Sequence, residues 1–406
     1  MCRAGINAIE ATTPTSLRAS RISAKDHSVE PTAVHEHTQP GPRIRRGHVS
    51  ALFAFDIGYE VSLKQLTSLV PSSPVQPLSS KKRTPSFFQY TRPPHVLILG
   101  ETASPFDGVG QIQARVFDFG VLSIAYRWPL PADENGVVLT KLPEVSQHLY
   151  ALNLAADARS QAARLMAQIE SAITRPNLSS LVEDYYVFVI ERLDSPLKAN
   201  ELLAQHRSTL AQTLRFETLP LSVDQQEDAV RQRLSYYEDD LLIIDWNAAI
   251  IYDQDFEDTA SVLELLNVEL LEARYIDLEL DQRVRECAVL AQRGRTTWPI
   301  PLRTPFRTAV QDLTEWRIES SLLAERVGNS LKLVGDLYLA RVYSAAAERF
   351  YLRQWESTIS HKLDIIDDFY QLLTDRVRTA QSQALELAVV ALILVELFVA
   401  LFGRYH

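Results

Sequence analysis

The stretch LELAVVALILVELFVALF (385–402) is apolar apart from two carboxylates, Glu386 and Glu396. Coiled as a helix at 1.5 Å per residue, 384–402 is about 28 Å long, close to the thickness of a hydrocarbon core. Its Leu, Ile, Val and Phe side chains together favour insertion by about 4–8 kcal/mol. Glu396 lies deep in the run and, if ionised, opposes insertion by about 2.5–3.5 kcal/mol. Glu386 sits in the first turn, within reach of the interface. The competing reading is a buried terminal helix of a soluble bundle. Such a helix needs a polar face, and 387–395 offers none. We therefore expect one transmembrane helix over 384–402, carried by Leu385, Glu386, Leu387, Leu392, Ile393, Glu396, Phe398 and Phe402, with membrane lipid as a partner. Residues 403–406 follow as a tail. The expected arrangement is a tail anchor with the bulk of the chain on the cytoplasmic side. Arg376 and Arg378 upstream, against Arg404 downstream, agree with that orientation.

Working back from the anchor, Trp355, Ile359, Leu363, Ile366, Tyr370, Leu373, Val377, Ala380, Ala384 and Leu387 recur at steps of four and three. That alternation is a heptad seam. No Pro or Gly interrupts Leu352 to Phe402, so one rod should run from the seam into the anchor. A seam needs a partner helix. One source is the preceding segment, expected to be helical over 306–350 with Leu323, Val327, Leu331, Val334, Tyr338 and Val342 on one stripe. The other is a second copy of the chain, which would make a homo-oligomer. Residues 306–383 thus read as a helical hairpin or coiled-coil stalk, and GRTTWPIPLRTP (294–305) as a linker.

The remainder reads as an α+β domain over 48–293. Strands are expected at 49–57, 95–100 and 183–193, with a strand or bent hairpin at 114–128. Helices are expected at 62–70 and 142–173. The order β-α-β-β-α-β is that of a ferredoxin-like antiparallel sheet with covering helices. Helices near 197–214 and 223–237, and a strand at 239–253, extend it. Residues 1–47 lack apolar periodicity and read as a disordered leader.

A net charge of −10 argues against general nucleic-acid binding. Two cysteines, Cys2 and Cys287, cannot form a disulfide framework. No apolar h-region opens the chain. His35-Glu36-His37 lacks further ligands for a metal site. GETASPFDGVG (100–110) lacks the spacing of a phosphate cradle and reads as a hairpin loop. Asp245, Trp246 and Asn247 interrupt an apolar strand. They read as a kink with Trp246 packed on a helix; the functional alternative makes Asp245 and Asn247 ligands in a cleft. Asp364, Asp367 and Asp368 read as a solvated face. Arg43, Arg45 and Arg46, with Lys81, Lys82 and Arg83, form two basic clusters. We identify no catalytic, cofactor-binding or metal-binding residue.

The C-terminal third resembles the Rmd/RMND family, named for meiotic nuclear division. The resemblance rests on Leu385-Glu386 followed by Glu396, and on Trp355, Lys362, Leu363 and Tyr370 within RQWESTISHKLDIIDDFYQLL (353–373). DLLIIDWNAAIIYD (240–253) and ALFAFDIGYEV (51–61) are similar to stretches of the same domain. Leu387-Ala388 departs from it where many members carry an aromatic and an aliphatic residue. The resemblance implies a C-terminal anchor, homo-oligomers and no catalytic residues. Its eukaryotic members sit in the mitochondrial inner membrane, facing the matrix, and support organellar translation. The expected function is a membrane-anchored, non-catalytic scaffold or tether that presents its α+β domain to a protein partner. The alternatives are an adaptor facing the ribosome or nucleic acid, which the net charge does not support, and an enzyme with a cleft around Asp245 and Asn247.

Overall fold

The computed structural model describes residues 41–70, 94–106, 108–130, 136–293 and 337–402. The calls at His35–His37, Lys81–Arg83, 294–305 and 306–336 lie outside the described residues, as do 1–40 of the expected leader and the tail 403–406.

The first strand, β1 (Arg43–Asp56), begins five residues before the expected start of the domain at His48. Its basic opening belongs to the sheet through pairing with residues 137–138 and 190–193, and the strands cross tightly at Gly47. A Cβ there would stand 2.3 Å from the Val189 carbonyl oxygen. A short strand, β2 (Glu60–Val61), leads into α1 (Leu63–Leu69), whose first turn is capped by Ser62. Three antiparallel strands follow: β3 (His95–Ala103), β4 (Val109–Val116) and β5 (Val121–Leu130). GETASPFDGVG falls on the β3–β4 hairpin. The expected strand 114–128 is thus the end of one strand, a turn and most of another.

After β6 (Val137–Val138), the expected helix 142–173 is two helices, α2 (Leu142–Ala151) and α3 (Ala155–Ile169). Asn153 stands at φ 47° between them, a left-handed conformation that ends a helix. Next come β7 (Ile173–Thr174), β8 (Glu183–Leu193), α4 (Ala199–Arg215) and α5 (Val223–Ala229). The expected helix 223–237 stops at Ala229, and its remainder forms β9 (Gln232–Leu234). The expected strand 239–253 is a hairpin of β10 (Leu241–Ile244) and β11 (Ala248–Tyr252), turning at 245–247.

The main sheet has the order β3-β4-β5-β1-β8-β11-β10-β9, with β6 beside β1. Neighbours are antiparallel except β8 and β11, which run parallel. The fold is mixed α+β. The central strands are buried on both faces. Ala51, Phe53 and Phe55 of β1 join Ile124, Tyr186 and Phe188 under α1 to α4. Leu52 and Ala54 face the other way, toward a second layer.

That second layer is helical. α6 (Glu257–Arg293) crosses the sheet with Val262, Leu263 and Leu266, then runs beyond it. α7 (Leu337–Arg349) packs Tyr338, Leu339, Val342 and Ala346 into the same cluster as Leu242, Ile244 and Ile251. Tyr338 and Val342 were expected to lie along the stalk; they pack on the sheet instead. Tyr351, at φ 57°, makes the turn into α8 (Leu352–Phe402), one unbroken helix of 51 residues.

Candidate functional site

The polar residue singled out in the apolar strand, Asp245, is 0% exposed. It sits at the β10–β11 turn, where two arginines meet it. Arg349, at the end of α7, donates from Nε at 2.9 Å and from Nη2 at 2.5 Å to Oδ1. Arg215, at the end of α4, brings Nε to 2.6 Å from Oδ2. Asp228 of α5 completes the ring, accepting from Arg349 Nη2 at 2.7 Å and Arg215 Nη2 at 2.6 Å. Arg231 adds a contact to Asp228 Oδ1 at 2.8 Å. The Tyr185 hydroxyl donates to the Asp245 carbonyl at 3.0 Å.

Hydrogen bonding to Arg349 is the main reason Asp228 is held at about 2. Burial pushes the Asp245 carboxyl up, against the opposing pull of Arg349 and Arg215. Burial works against the charge on Arg349 as well, but its bonds to Asp228 and Asp245 outweigh it. Both Asp245 oxygens face guanidinium groups, so its carboxylate is engaged in holding four elements together. Asn247 is half-buried, and its carbonyl accepts from the Tyr186 N–H at 3.0 Å. Trp246, expected to pack on a helix, is 51% exposed at the tip of the turn.

Arg349 is followed within three residues by α8, so this ion network is where the long helix is mounted on the sheet domain. The seam then takes over. Ile359 and Ile366 are buried with Ile276, Leu280 and Cys287 of α6, and Leu363 and Tyr370 pack beside them. Trp355 is half-buried outside that cluster, and the side chains of Leu373 and Val377 lie outside the described ones. Lys362 Nζ stands 2.7 Å from Asp277 Oδ1 and 2.5 Å from Asp281 Oδ1, fixing the register. Glu356 lies close enough to raise the pKa of Glu269, so contacts ascend together along both helices and α6 and α8 run parallel. Over Ile359–Tyr370 the seam packs on α6, from within the expected α+β domain; of the segment 306–350, residues 306–336 lie outside the described residues.

Beyond Tyr370 the character of α8 changes. Gln381–Ala400 is long and apolar enough to cross a membrane, and none of its most apolar window is buried. Leu385, Leu387, Leu392, Ile393 and Phe398 are each more than half exposed, and Glu386 and Glu396 are exposed too. Phe402 ends the helix; its side chain is outside the described ones.

The family model for the N-terminal domain of uncharacterized protein MJ0711 matches residues 46–259, just over half of the 406-residue chain. The chain belongs to this family. It is 24% identical over 233 residues to uncharacterized protein MJ0711 of Methanocaldococcus jannaschii, which takes in 57% of this chain and 70% of that protein. No solved structure matches. The MJ0711 domain match includes Arg215, Asp228 and Asp245 and stops as α6 begins, so Arg349 and all of α8 lie beyond it. The domain is one of uncharacterized function.

Sequence reading missed a second group of buried polar residues, on the α6 face that meets the sheet. Glu272 is 0% exposed and neither of its carboxyl oxygens has a hydrogen-bond partner. Burial, reinforced by Asp56, pushes its pKa well up. Burial pushes Asp56 up to about 7 despite the Gly58 N–H, with Glu279 adding to the rise. Glu269 is pushed up to about 8 by burial while accepting from the Tyr343 hydroxyl at 2.9 Å. Near the start of α6, burial first and then Arg127 and Arg46 lower His48 to about 3, with Glu191 Oε1 at 3.5 Å from its Nδ1. Glutamates recurring within the apolar first half of α6, at Glu264, Glu269 and Glu272, were the available signal. Among the described residues no group of three or more His, Cys, Asp or Glu could hold a metal ion.

Proposed function

We propose that this protein is a membrane-anchored, non-catalytic scaffold or tether. Its α+β domain is presented to a protein partner, and its copies associate. One observation carries the reading: a single helix is mounted on the domain at Arg349, paired with α6 through Tyr370, and then apolar over Gln381–Ala400 with none of its most apolar window buried. A buried apolar helix would be core. An exposed one, rigidly continuous with a mounted stalk, has a hydrophobic surface that water does not tolerate, and lipid is the solvent that suits it. In this reading α6 and α8 form a short two-stranded parallel coiled coil, and the domain lies on the cytoplasmic side, or the matrix side of a mitochondrial inner membrane.

The strand order β8-β1-β5-β4, with α1 in one crossover and α2 and α3 in the other, supports taking the middle of the sheet as a split βαβ unit of the ferredoxin-like kind. The Rmd/RMND resemblance extends the reading to a supporting role in translation. Arg46, from the basic cluster on β1, is paired with Glu191 at 2.5 Å, and the Arg43 amide with Asp194 at 2.8 Å, so acids stand beside the basic residues at this end of β1. That favours a protein partner over a nucleic acid.

The test is fractionation of full-length protein. We expect it to float with lipid vesicles and to resist extraction by alkaline carbonate. Recovery in the soluble fraction without detergent would overturn the anchor.

A further inference from the structure

The first half of the seam is taken by α6, which leaves open how copies of the chain would meet. Glu386, Val389, Ile393, Glu396 and Ala400 recur at steps of three, four, three and four along α8. At 100° per residue they share one stripe about 80° wide. This stripe is distinct from the seam, whose spacing continues through Ala384 and Leu387. Glu396 lies three residues from the middle of 384–402, about 4.5 Å along the axis. Its side chain is too short to reach the interface readily from there, and a carboxyl in hydrocarbon needs hydrogen-bond partners. In the structure Glu396 is exposed, on a window of helix none of which is buried.

We propose that the span of α8 docks on the span of a second copy of this chain through the Glu386–Glu396 stripe, with the two Glu396 carboxyls hydrogen-bonded to each other. The proposal rests on the anchor reading above and names the partner of that anchor. Copies of a tail-anchored chain enter the bilayer with the same polarity, so identical residues meet at identical depth. A carboxyl pair sharing a proton is self-complementary, because the O–H of one donates to an oxygen of the other. Val389 and Ile393, both exposed, lie between the two glutamates and supply the apolar part of the contact.

The experiment uses full-length protein labelled with donor or acceptor dye and reconstituted into vesicles of phosphatidylcholine and phosphatidylglycerol. Energy transfer is followed as the protein is diluted into lipid. We expect transfer above that of randomly placed chains. Glu396→Leu should weaken association about 3- to 30-fold, the range of an interhelical hydrogen bond in a membrane. Glu396→Gln, which keeps a donor and an acceptor, should retain most of it. Carbonate resistance and flotation are read on the same samples. Inserted wild-type protein with no excess transfer, or Glu396→Leu associating like wild type, overturns the proposal while leaving the anchor standing. Protein that fails to insert overturns both.

Discussion

Arg349 grips Asp245 with two nitrogens, at 2.9 and 2.5 Å, across 104 residues of chain. The acid is fully buried and the arginine nearly so. Such a pair is worth little against an apolar replacement of both partners, but removing Arg349 leaves the buried Asp245 carboxylate with Arg215 as its remaining ion partner. Arg349→Ala should therefore destabilise the protein by about 3–5 kcal/mol. Adding Asp245→Asn should recover part of the loss, because the under-compensated buried charge is gone. Urea unfolding of both variants measures this, and additive losses would show that the residues do not act as a pair.

The pairing of α8 with α6 predicts a second outcome. Ile366 is 1% exposed between the helices. Ile366→Ala should cost about 2–5 kcal/mol. Because the pair extends past the sheet, the loss should appear locally. Amide exchange should accelerate over 273–287 and 359–370 while β1 and β8 keep their protection. Uniform acceleration across the sheet would show that the stalk and the domain unfold together.

Stability should fall as pH rises above neutrality. Asp56, Glu269 and Glu272 all have raised pKa values, Asp56 to about 7 and Glu269 to about 8, with burial the first cause in each case. A carboxyl raised in the folded state contributes stability that is complete below its unfolded pKa and is lost as pH climbs through the folded one. His48, lowered to about 3, has the opposite sign, and its effect is confined below its unfolded value of 6.5. Between pH 6.5 and 9 the carboxyls therefore act without that opposition. We expect Tm to drop across this window and Glu272→Gln to flatten the drop. A Tm that rises from pH 6.5 to 9 would contradict the burial of these carboxyls.

Removing 384–406 should release the protein from membranes without unfolding it. Among the described residues, those of α8 that join the cores built with α6 and the sheet all precede this segment. Flotation and circular dichroism of the truncated chain check both halves of this expectation.

Much of this architecture was legible in the sequence because it follows periodicity. The β1, β3 and β8 strands, α1 and the unbroken rod of α8 are all patterned on a period of two or on the 3.6-residue turn. Two of the errors arose where a turn carries no glycine or proline. Asn153 and the Asp245–Asn247 corner break elements that apolar spacing alone would continue. The contact of the seam with α6 was not legible for a different reason. A heptad stripe shows that a helix needs a neighbour but not which one, and Lys362 meets Asp277 of α6 across 85 residues of chain. Asp245 stood out as a polar residue among apolar ones. Arg215, Asp228 and Arg349 did not, because charged residues near helix ends are ordinary.

The continuity of α8 couples rotation to height. Between Tyr370, the last described residue in the cluster shared with α6, and Ala384 the helix has no break. Each residue inserted there would lift the domain by about 1.5 Å and swing it by about 100° about the helix axis. A seven-residue insertion would thus raise it about 10 Å yet return it to within about 20° of its native heading. A four-residue insertion would raise it about 6 Å and leave it about 40° off. A partner fixed in the membrane plane would tolerate these two changes unequally, since it is sensitive to which way the domain faces as well as to how far away it stands.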